Sequence, residues 1–285
     1  PLLPEIVAKT FGWKVFTPPS DLNLPFAWVD IGRELFSLPH FNHAAGPLMN
    51  VKALENELEL FQKQVGKPVG IRLVAGDFSY PLAKVVSLLH LKPEELPRSI
   101  LHGNLARKIR ATRRKGVRVE RQGREGLKDF MGIYEKRLHQ LGSANLPAKF
   151  FEALLQTYPD RSLDAEAMIH TAHYKEKCVG AAFSLRLGNW FENGWFATDI
   201  SDPSLYLAYA LHDAMIREAV AAGANVYSFG RSTPGSGVHG FKQQWGTTGL
   251  PVVIHHIPPA RHDLRQFPWL HDIWKNIPLP RSLIH

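Results

Sequence analysis

The C-terminal half of the chain contains one long glycine-rich segment, Phe229-Gly-Arg-Ser-Thr-Pro-Gly-Ser-Gly-Val-His-Gly-Phe-Lys-Gln-Gln-Trp-Gly246. Glycines without a Cβ let a ligand approach the backbone closely, and the free N–H groups of such a loop suit an anion or a developing oxyanion. The G-x-x-x-x-G-K-[ST] order of a P-loop is absent. Phe241 and Trp245, four residues apart, favour a short helix with an aromatic face and with Lys242 turned elsewhere. The segment alone is equally compatible with a crossover loop held by these two aromatic residues.

The elements that lead into this segment form a clear series. Apolar spacing predicts helices over 104–116, 127–141 and 148–157, then three meander strands over 167–174, 179–187 and 190–198. Asp202 as N-cap and Pro203 at the first position predict a helix over 204–222, which Gly223 ends. A strand over 225–229 then delivers the chain into the glycine-rich segment. The fold class is therefore mixed α/β.

The N-terminal part predicts a similar but shorter unit. Strands are expected over 24–29, 34–38, 69–74 and 85–91, a loop over 40–47, and a helix over 51–65. We predict an N-terminal unit over 1–103, a second unit over 104–257, and a proline-rich surface tail over 258–285.

The positive charge of the chain is concentrated in one stretch. Residues 98–128 hold 11 Lys/Arg and 2 Asp/Glu, a net of +9, whereas the remaining 23 basic and 24 acidic residues nearly cancel. Such a patch suits RNA, a nucleotide-bearing donor or an anionic membrane surface, although a solvated basic helix explains it equally well.

Several site classes are not indicated. The histidine pairs at 40/43, 170/173 and 255/256 lack zinc-site spacing, so no metal is expected. His170 and His173 lie three apart in a strand and are expected on opposite faces. The single cysteine, Cys178, is predicted to be a packed thiol rather than a nucleophile. No G-x-S-x-G elbow points to a hydrolase, and neither a transmembrane helix nor a signal peptide is expected.

The glycine-rich segment resembles the signature of FemAB-like proteins, particularly those associated with exosortase (PEP-CTERM) and exopolysaccharide gene systems. Gly103-Asn-Leu-Ala-Arg-Lys-Ile-Arg-Ala-Thr-Arg-Arg-Lys-Gly-Val117 is similar to the basic helix that precedes the acyltransferase domain there. Leu141-Gly-Ser-Ala-Asn-Leu-Pro-Ala-Lys-Phe-Phe151 and Gly32-Arg-Glu-Leu-Phe-Ser-Leu-Pro39 resemble two further family segments. The resemblance spans roughly residues 30–250.

This resemblance implies tandem GNAT-like units of the acyl-CoA N-acyltransferase superfold, and transfer of an acyl or aminoacyl group to an amine. No cofactor is expected to be permanently bound, and the donor is acyl-CoA, an acyl carrier protein or aminoacyl-tRNA. Acetyl-CoA enzymes of the superfold place a [QR]-x-x-G-x-[GA] loop before their long helix, whereas this chain has Ile200-Ser-Asp-Pro-Ser-Leu205. Acetyl-CoA itself is therefore disfavoured.

Amine acylation needs a neutral amine, a polarised carbonyl and a fixed geometry between them. We expect the carbonyl near Gly230–Gly240, with Arg231 or Lys242 stabilising negative charge and Ser232 or His239 relaying a proton. Glu192 is a candidate general base, though an exposed strand carboxylate is the commoner case. The residues expected to bind donor or substrate are Asn193, Trp195, Asp199, Tyr206, Phe229, Gly230, Thr233, Gly235, Gly237, Phe241, Trp245, Arg110 and Arg114.

The expected acceptor is an amine-bearing precursor of the cell envelope or exopolysaccharide, with tRNA as a further partner. The expected location is the cytoplasm, with peripheral contact at the inner face of the membrane. Two alternatives stay open at this point: a non-catalytic GNAT-like scaffold, and an RNA-binding module that uses residues 98–128.

Overall fold

The computed structural model describes residues 3–19, 22, 24, 28–37, 48–49, 51–75, 84–92, 95–97, 100, 102–143, 145–159 and 165–259. The chain divides into two compact units that interleave along the sequence. The described parts of unit 1 lie within 1–87, 231–239 and 249–259, and those of unit 2 within 88–230 and 240–248. The sequence prediction instead divided the chain once near residue 103. The loop expected over 40–47 and most of the expected tail lie outside the described residues.

Unit 1 begins with a helix and continues through short strands. Its helices are α1 (Leu3–Phe11) and α2 (Val51–Val65), the latter as predicted. Strands β2 (Trp28–Asp30) and β3 (Leu35–Ser37) pair antiparallel, as do β1 (Lys14–Phe16) and β2. Strand β5 (Val69–Ala75) runs parallel to β3 and to β4 (Leu48–Met49), and antiparallel to β12 (Thr248–Ile257). Trp28 and Phe61 are fully buried in its core.

Unit 2 contains the predicted series of helices and strands. Helices α3 (Gly103–Arg114), α4 (Leu127–Gln140) and α5 (Ala148–Thr157) are followed by the meander β8 (Ala165–Tyr174), β9 (Lys177–Leu187) and β10 (Trp190–Thr198). The meander pairs antiparallel, and β7 (Arg118–Gln122) adds to its β8 side. Helix α6 (Leu207–Ala221) then leads to β11 (Val226–Ser232), which pairs parallel to β10. β6 (Lys84–His90) and α7 (Gly237–Gln243) complete the elements.

Helix α6 begins later than the sequence predicted. Asp202 does act as an N-cap, since its carboxylate accepts the Ser204 N–H at 2.9 Å, but the element it caps is a single 3-10 turn over Pro203–Leu205. Tyr206 then adopts a left-handed conformation with φ of 51°, so the α-helix starts only at Leu207. At the other end Gly223 is left-handed, as expected for a terminating glycine.

The two faces of the unit 2 meander carry different cores. One face packs against α3 and α6 through a cluster that includes Met168, Phe191 and Leu211. The other holds an aromatic cluster in which Phe151 of α5 and Phe183 of β9 contact Trp195 of β10. Since both faces are covered, even polar residues of β10 are buried.

Candidate active site in unit 2

Strands β10 and β11 pair over only three residues. The parallel register runs from Trp190↔Val226 to Glu192↔Ser228, although both strands continue beyond it. A bulge follows at once, because Asn193 faces Ser184 of β9 while Trp195 faces Phe183, which leaves Gly194 as the extra residue. Bulges leave a residue outside the ladder and re-aim the side chains that follow. The backbone here is therefore freed from regular pairing on both sides.

The bulge also sorts the neighbouring side chains onto opposite faces. Ser184, opposite Asn193, donates to the Met215 sulfur of α6, so Asn193 lies on the α6 face. Trp195 instead contacts Phe150 and Phe151, in the aromatic cluster of the other face. Asn193 and Trp195, both expected to bind donor or substrate, are thus not brought together.

Two buried charged groups converge on Gly230. Lys242 is 6% exposed and donates from Nζ to the Gly230 carbonyl at 2.9 Å. Glu192 is 2% exposed, accepts the Trp190 indole N–H at 3.0 Å, and its Oε1 would lie 3.7 Å from a Cβ placed on Gly230. Gly230 itself has φ of +69°, a conformation that favours glycine. Lys242 was expected to turn away from the aromatic face of its helix, and the sequence did not indicate that it would be buried.

A neutral histidine and a tyrosine lie beside these charges. His212 of α6 is buried, and its Nδ1 is 2.8 Å from the Tyr227 hydroxyl. Burial and, after it, the Lys242 charge hold the pKa of His212 well below its usual value. Burial and the Glu192 charge raise the pKa of Tyr227 well above its usual value. We call Glu192, Asn193, His212, Tyr227, Gly230 and Lys242 the Gly230 site. Within it Glu192, opposite Leu185, lies on the other face of β10 from Asn193, as strand alternation predicts.

The side chain of Asn193 brings an unsatisfied polar atom to this site. The Asn193 side-chain oxygen is buried and has no hydrogen-bond partner among the described residues. A buried acceptor left without a donor costs about 1–3 kcal/mol. Its position, next to the bulge and to the end of β10–β11 pairing, makes it a place for a donor group from a ligand.

The aromatic residues of the glycine-rich segment form the wall behind the site. Phe229 and Trp245 both pack on the His212 ring, with centroids 4.5 and 5.6 Å away, and Trp245 is fully buried. Phe241 packs edge-on against Tyr209, as does Tyr206. Phe229, Phe241 and Trp245 therefore all pack around His212, while Tyr206 lies at the start of α6; their expected role in donor binding stays a prediction.

Residues 231–239 of the glycine-rich segment belong to unit 1, and the segment is less loop-like than expected. Residues 237–243 form α7, and the Ser236 hydroxyl caps it by accepting the His239 N–H at 3.2 Å. Gly237 is therefore helical, and the His239 ring accepts the Gly235 N–H at 3.1 Å. The expectation that this stretch offers free N–H donors is therefore wrong for Gly235 and His239. Their N–H groups already donate to the His239 ring and to the capping Ser236 hydroxyl.

Arg231, Ser232 and Thr233 also lie in unit 1. Burial and, after it, the nearby Arg231 guanidinium lower the pKa of Arg72 to about 9. The Ser232 hydroxyl is buried without a partner among the described residues, and Thr233 accepts from Lys84 at 2.8 Å. The roles expected for Arg231, Ser232 and His239 stay predictions.

The loop between β10 and α6 is held by its own carboxylates. Asp199 accepts the Ser201 N–H at 2.8 Å, and Asp202 accepts that of Ser204 at 2.9 Å. The bonds from Ser201, followed by Lys136, lower the pKa of Asp199 to about 2. The backbone N–H groups of Ser201 and Ser204 therefore already donate to carboxylates, and a phosphate bound in this loop would have to compete for them.

The basic stretch divides into two sets of side chains. Lys108 donates to the Tyr209 hydroxyl at 2.7 Å, and Arg113 pairs with the buried Asp213 at 2.5 Å. These two anchor α3 to α6. Arg110 and Arg114 are exposed, and neither has an ion-pair partner among the described residues.

Sequence reasoning missed the roles of His212 and Tyr227 and the bulge at Gly194. No local signal marks them: the first two look like packed residues of a helix and a strand, and a bulge depends on the partner strand. In the described helices, none is both long and apolar enough to cross a membrane.

Comparison with solved structures shows the fold. FemX superimposes with a TM-score of 0.57 at 14% identity, covering 86% of this chain and 87% of that one. L-PGS from Bacillus licheniformis gives 0.60 at 12% identity, covering 93% and 90%. A C-terminal domain from Agrobacterium fabrum, assigned to a lysylphosphatidylglycerol synthetase, gives 0.55 at 12% identity, covering 89% and 86%. At these identities the likeness is one of fold.

No curated protein matches the sequence. The acetyltransferase (GNAT) domain family matches residues 101–243, half of the chain, including Gly230 and Lys242. This confirms the predicted fold class and the predicted GNAT-like family, while the association with exosortase systems stays a prediction. The chain belongs to the acetyltransferase (GNAT) domain family.

Proposed function

We propose that unit 2 transfers an acyl or aminoacyl group to a primary amine at the Gly230 site. The observation that carries this proposal is the unsatisfied Asn193 oxygen beside the Gly194 bulge, where the pairing of β10 with β11 ends. An extended donor or acceptor carrying N–H groups would satisfy this oxygen and continue the interrupted ladder. Family membership supports the same class of reaction.

The charges of the site suit two requirements of amine acylation, removal of the proton from the amine and polarisation of the carbonyl. The amine nitrogen attacks the donor carbonyl, a C–N bond forms, the bond to the leaving group breaks, and the amine gives up a proton. Glu192 is the acceptor of that proton, because its buried carboxylate lies beside Gly230. The Lys242 ammonium supplies fixed positive charge for the developing oxyanion, because it is buried and held at the Gly230 carbonyl.

The proposed donor is a large polyanionic one, with aminoacyl-tRNA ahead of an acyl carrier protein or acyl-CoA. Two features support this order. Asp199 and Asp202 occupy N–H groups in the loop where a pyrophosphate would sit, and Arg110 and Arg114 present charge on α3 that has no ion-pair partner among the described residues.

The proposed acceptor is an amine-bearing component of the cell envelope, which places the protein at the cytoplasmic face of the membrane. FemX and a protein assigned as a lysylphosphatidylglycerol synthetase share the fold. The name of the second protein refers to a lipid with a lysyl group, which bears an amine. The narrower assignment to exopolysaccharide synthesis rests on the sequence resemblance.

The test is a transfer assay in which the three donor classes are offered with a primary-amine acceptor and products are read by mass spectrometry. Asn193→Ala and Glu192→Gln are expected to lower turnover by about 100-fold, a usual cost of losing one positioned catalytic group. Asn189→Ala serves as the matched control, because that residue lies in the exposed β9–β10 turn. Wild-type inactivity with all donors, or full activity of both variants, would exclude the proposal.

A further inference from the structure

A second group of reactive side chains lies in unit 2, away from the residues discussed so far. Asp129 in the first turn of α4, His173 near the end of β8 and Cys178 near the start of β9 each offer a ligand atom, and these atoms lie within 4.8 Å of one another. All three side chains are half-buried. Carboxylate, imidazole and thiolate are the three ligand types that zinc uses in proteins.

The β8–β9 hairpin is shaped so that the histidine and the cysteine meet. The register places Ala172 opposite Gly180 but His173 opposite Cys178, so Val179 is the extra residue of a bulge. Without this bulge His173 would face Val179. Residues directly opposite in antiparallel strands have Cβ atoms about 4.5–5.5 Å apart on one face, which suits two ligands of one ion.

The carboxylate completes the set from a separate element. Asp129 has neither a hydrogen-bond nor an ion-pair partner among the described residues. The other two make one contact each: His173 Nε2 is 3.0 Å from the Thr171 hydroxyl, and Cys178 Sγ is 3.5 Å from the Gly180 carbonyl. Because Nε2 is engaged by Thr171, Nδ1 of His173 is the nitrogen left for a metal, in the manner of metal-bound histidines that use their other nitrogen to fix the ring.

The basic residue opposite His173 is already paired. Arg118 lies opposite His173 across the β7–β8 pair, but its guanidinium is engaged by Glu176 at 2.9 Å. Zinc–ligand distances of about 2.0–2.3 Å keep pairs of ligand atoms within about 4 Å. The observed separations therefore need only small side-chain rotations.

We propose that Asp129, His173 and Cys178 form a zinc-binding site with three protein ligands and a fourth position open to water. The Cys178 thiol gives its proton to solvent as the Zn–S bond forms. The bound ion links the first turn of α4 to the β8–β9 hairpin. This proposal is independent of the transfer reaction, and it opposes the expectation from residue spacing that the chain has no metal site.

The test uses the untagged full chain, freed of metal by a chelator and titrated with Co²⁺ and Zn²⁺. We expect one equivalent of Co²⁺ to produce a near-ultraviolet thiolate-to-metal band together with visible bands of tetrahedral intensity, and Zn²⁺ to displace both. Cys178→Ser is expected to abolish the charge-transfer band. His173→Ala and Asp129→Asn are expected to weaken zinc binding by at least about 100-fold, since changing groups that merely orient a ligand already costs about 10–100-fold.

A second measurement covers variants that fold poorly. Zinc at about 100 times its Kd is expected to raise the thermal midpoint of the wild type by about 5–10 °C, and to leave that of Cys178→Ser unchanged. His102→Ala is the matched control, because His102 is exposed and lies outside the cluster. A wild type that binds no stoichiometric zinc, or a Cys178→Ser variant that binds as tightly as the wild type, would overturn the proposal.

Discussion

At the scale of single residues, burial decides which polar groups of this protein are placed for chemistry. Glu192, a candidate general base although an exposed strand carboxylate is the commoner case, is 2% exposed; it and the buried Lys242 both lie at Gly230. The reason is that both faces of β10 are covered, so alternation along the strand exposes neither face. The same covering leaves the Asn193 oxygen without a donor among the described residues.

Asp199 gives a prediction about pH. Its pKa is about 2 in the folded protein against 3.8 for an ordinary aspartate, chiefly because of hydrogen bonds from Ser201. A lowered pKa stabilises the fold above pH 3.8, and this stabilisation is lost as pH falls through 2. Asp199→Asn is therefore expected to cost about 1–2 kcal/mol at neutral pH, with a difference from wild type that shrinks between pH 4 and pH 2.

Urea unfolding at a series of pH values measures this difference. Lys136→Met is the control, and its effect is expected to be smaller because Lys136 contributes less to the shift than Ser201 does. A variant as stable as wild type at pH 7 would contradict the assignment.

At the scale of secondary structure, most elements were predictable and their ends and irregularities were not. Helix 51–65 and helix 148–157 agree with the structure to the residue, because apolar periodicity and flanking prolines or glycines are local signals. The delayed start of α6 was not predictable, since Tyr206 adopts a left-handed conformation and its ring lies 5.9 Å from the Lys108 ammonium of the distant α3. The bulges at Gly194 and Val179 likewise depend on partner strands.

Substitutions on helix α3 are expected to change protein stability and tRNA binding independently of each other. Arg110→Ala/Arg114→Ala is expected to leave stability within about 0.5 kcal/mol of wild type, because both side chains are exposed and unpaired within the described chain. Binding of bulk tRNA should weaken. The slope of the log binding constant against log salt concentration should become less negative by about 2.

Arg113→Ala is the matched comparison on the same helix. It removes one of two cations from the buried Asp213 and leaves Arg217, so it should cost about 1 kcal/mol after allowance for the exposure of Arg113. Fluorescence anisotropy at several salt concentrations and thermal melts separate the two effects. An unchanged salt slope in the double variant would count against a polyanionic donor.

The β8–β9 turn predicts a stabilising substitution. Lys175 and Glu176 both have positive φ, 48° and 60°, in a two-residue hairpin turn that favours glycine. Glu176→Gly is expected to stabilise the protein by about 1 kcal/mol, because a side chain in this conformation costs that amount. Glu176→Ala is the control: it removes the exposed pair with Arg118 but keeps the strained backbone, so thermal melts should show no gain.

At the scale of the whole molecule, the chain contributes non-contiguous stretches to each unit. Unit 2 uses residues 240–248 in addition to 88–230, and Trp245 from the later stretch is fully buried in its core. The predicted single domain boundary near residue 103 therefore does not describe these units, since each of them is built from separate stretches of the chain.

A shortened chain tests this organisation. Residues 88–230 alone are expected to keep helical structure but to lose cooperative unfolding, because the fully buried Trp245 and the partly buried Phe241 are missing from the core. Residues 88–248, which include all described segments of unit 2, are expected to unfold cooperatively. Circular dichroism during urea unfolding compares the two; equal cooperativity would show that the later stretch is dispensable.

The sequence alone determined the mixed α/β class, the order of elements in unit 2 and the GNAT-like resemblance, because periodicity, caps and the glycine-rich signature are local properties of neighbouring residues. Only the tertiary structure placed Lys242 and Glu192 beside Gly230, left Asn193 unsatisfied, and brought Asp129, His173 and Cys178 together. These groupings depend on strand register, on two bulges and on which faces are covered. Each of those is settled by partners far away in the chain, so no local pattern records it.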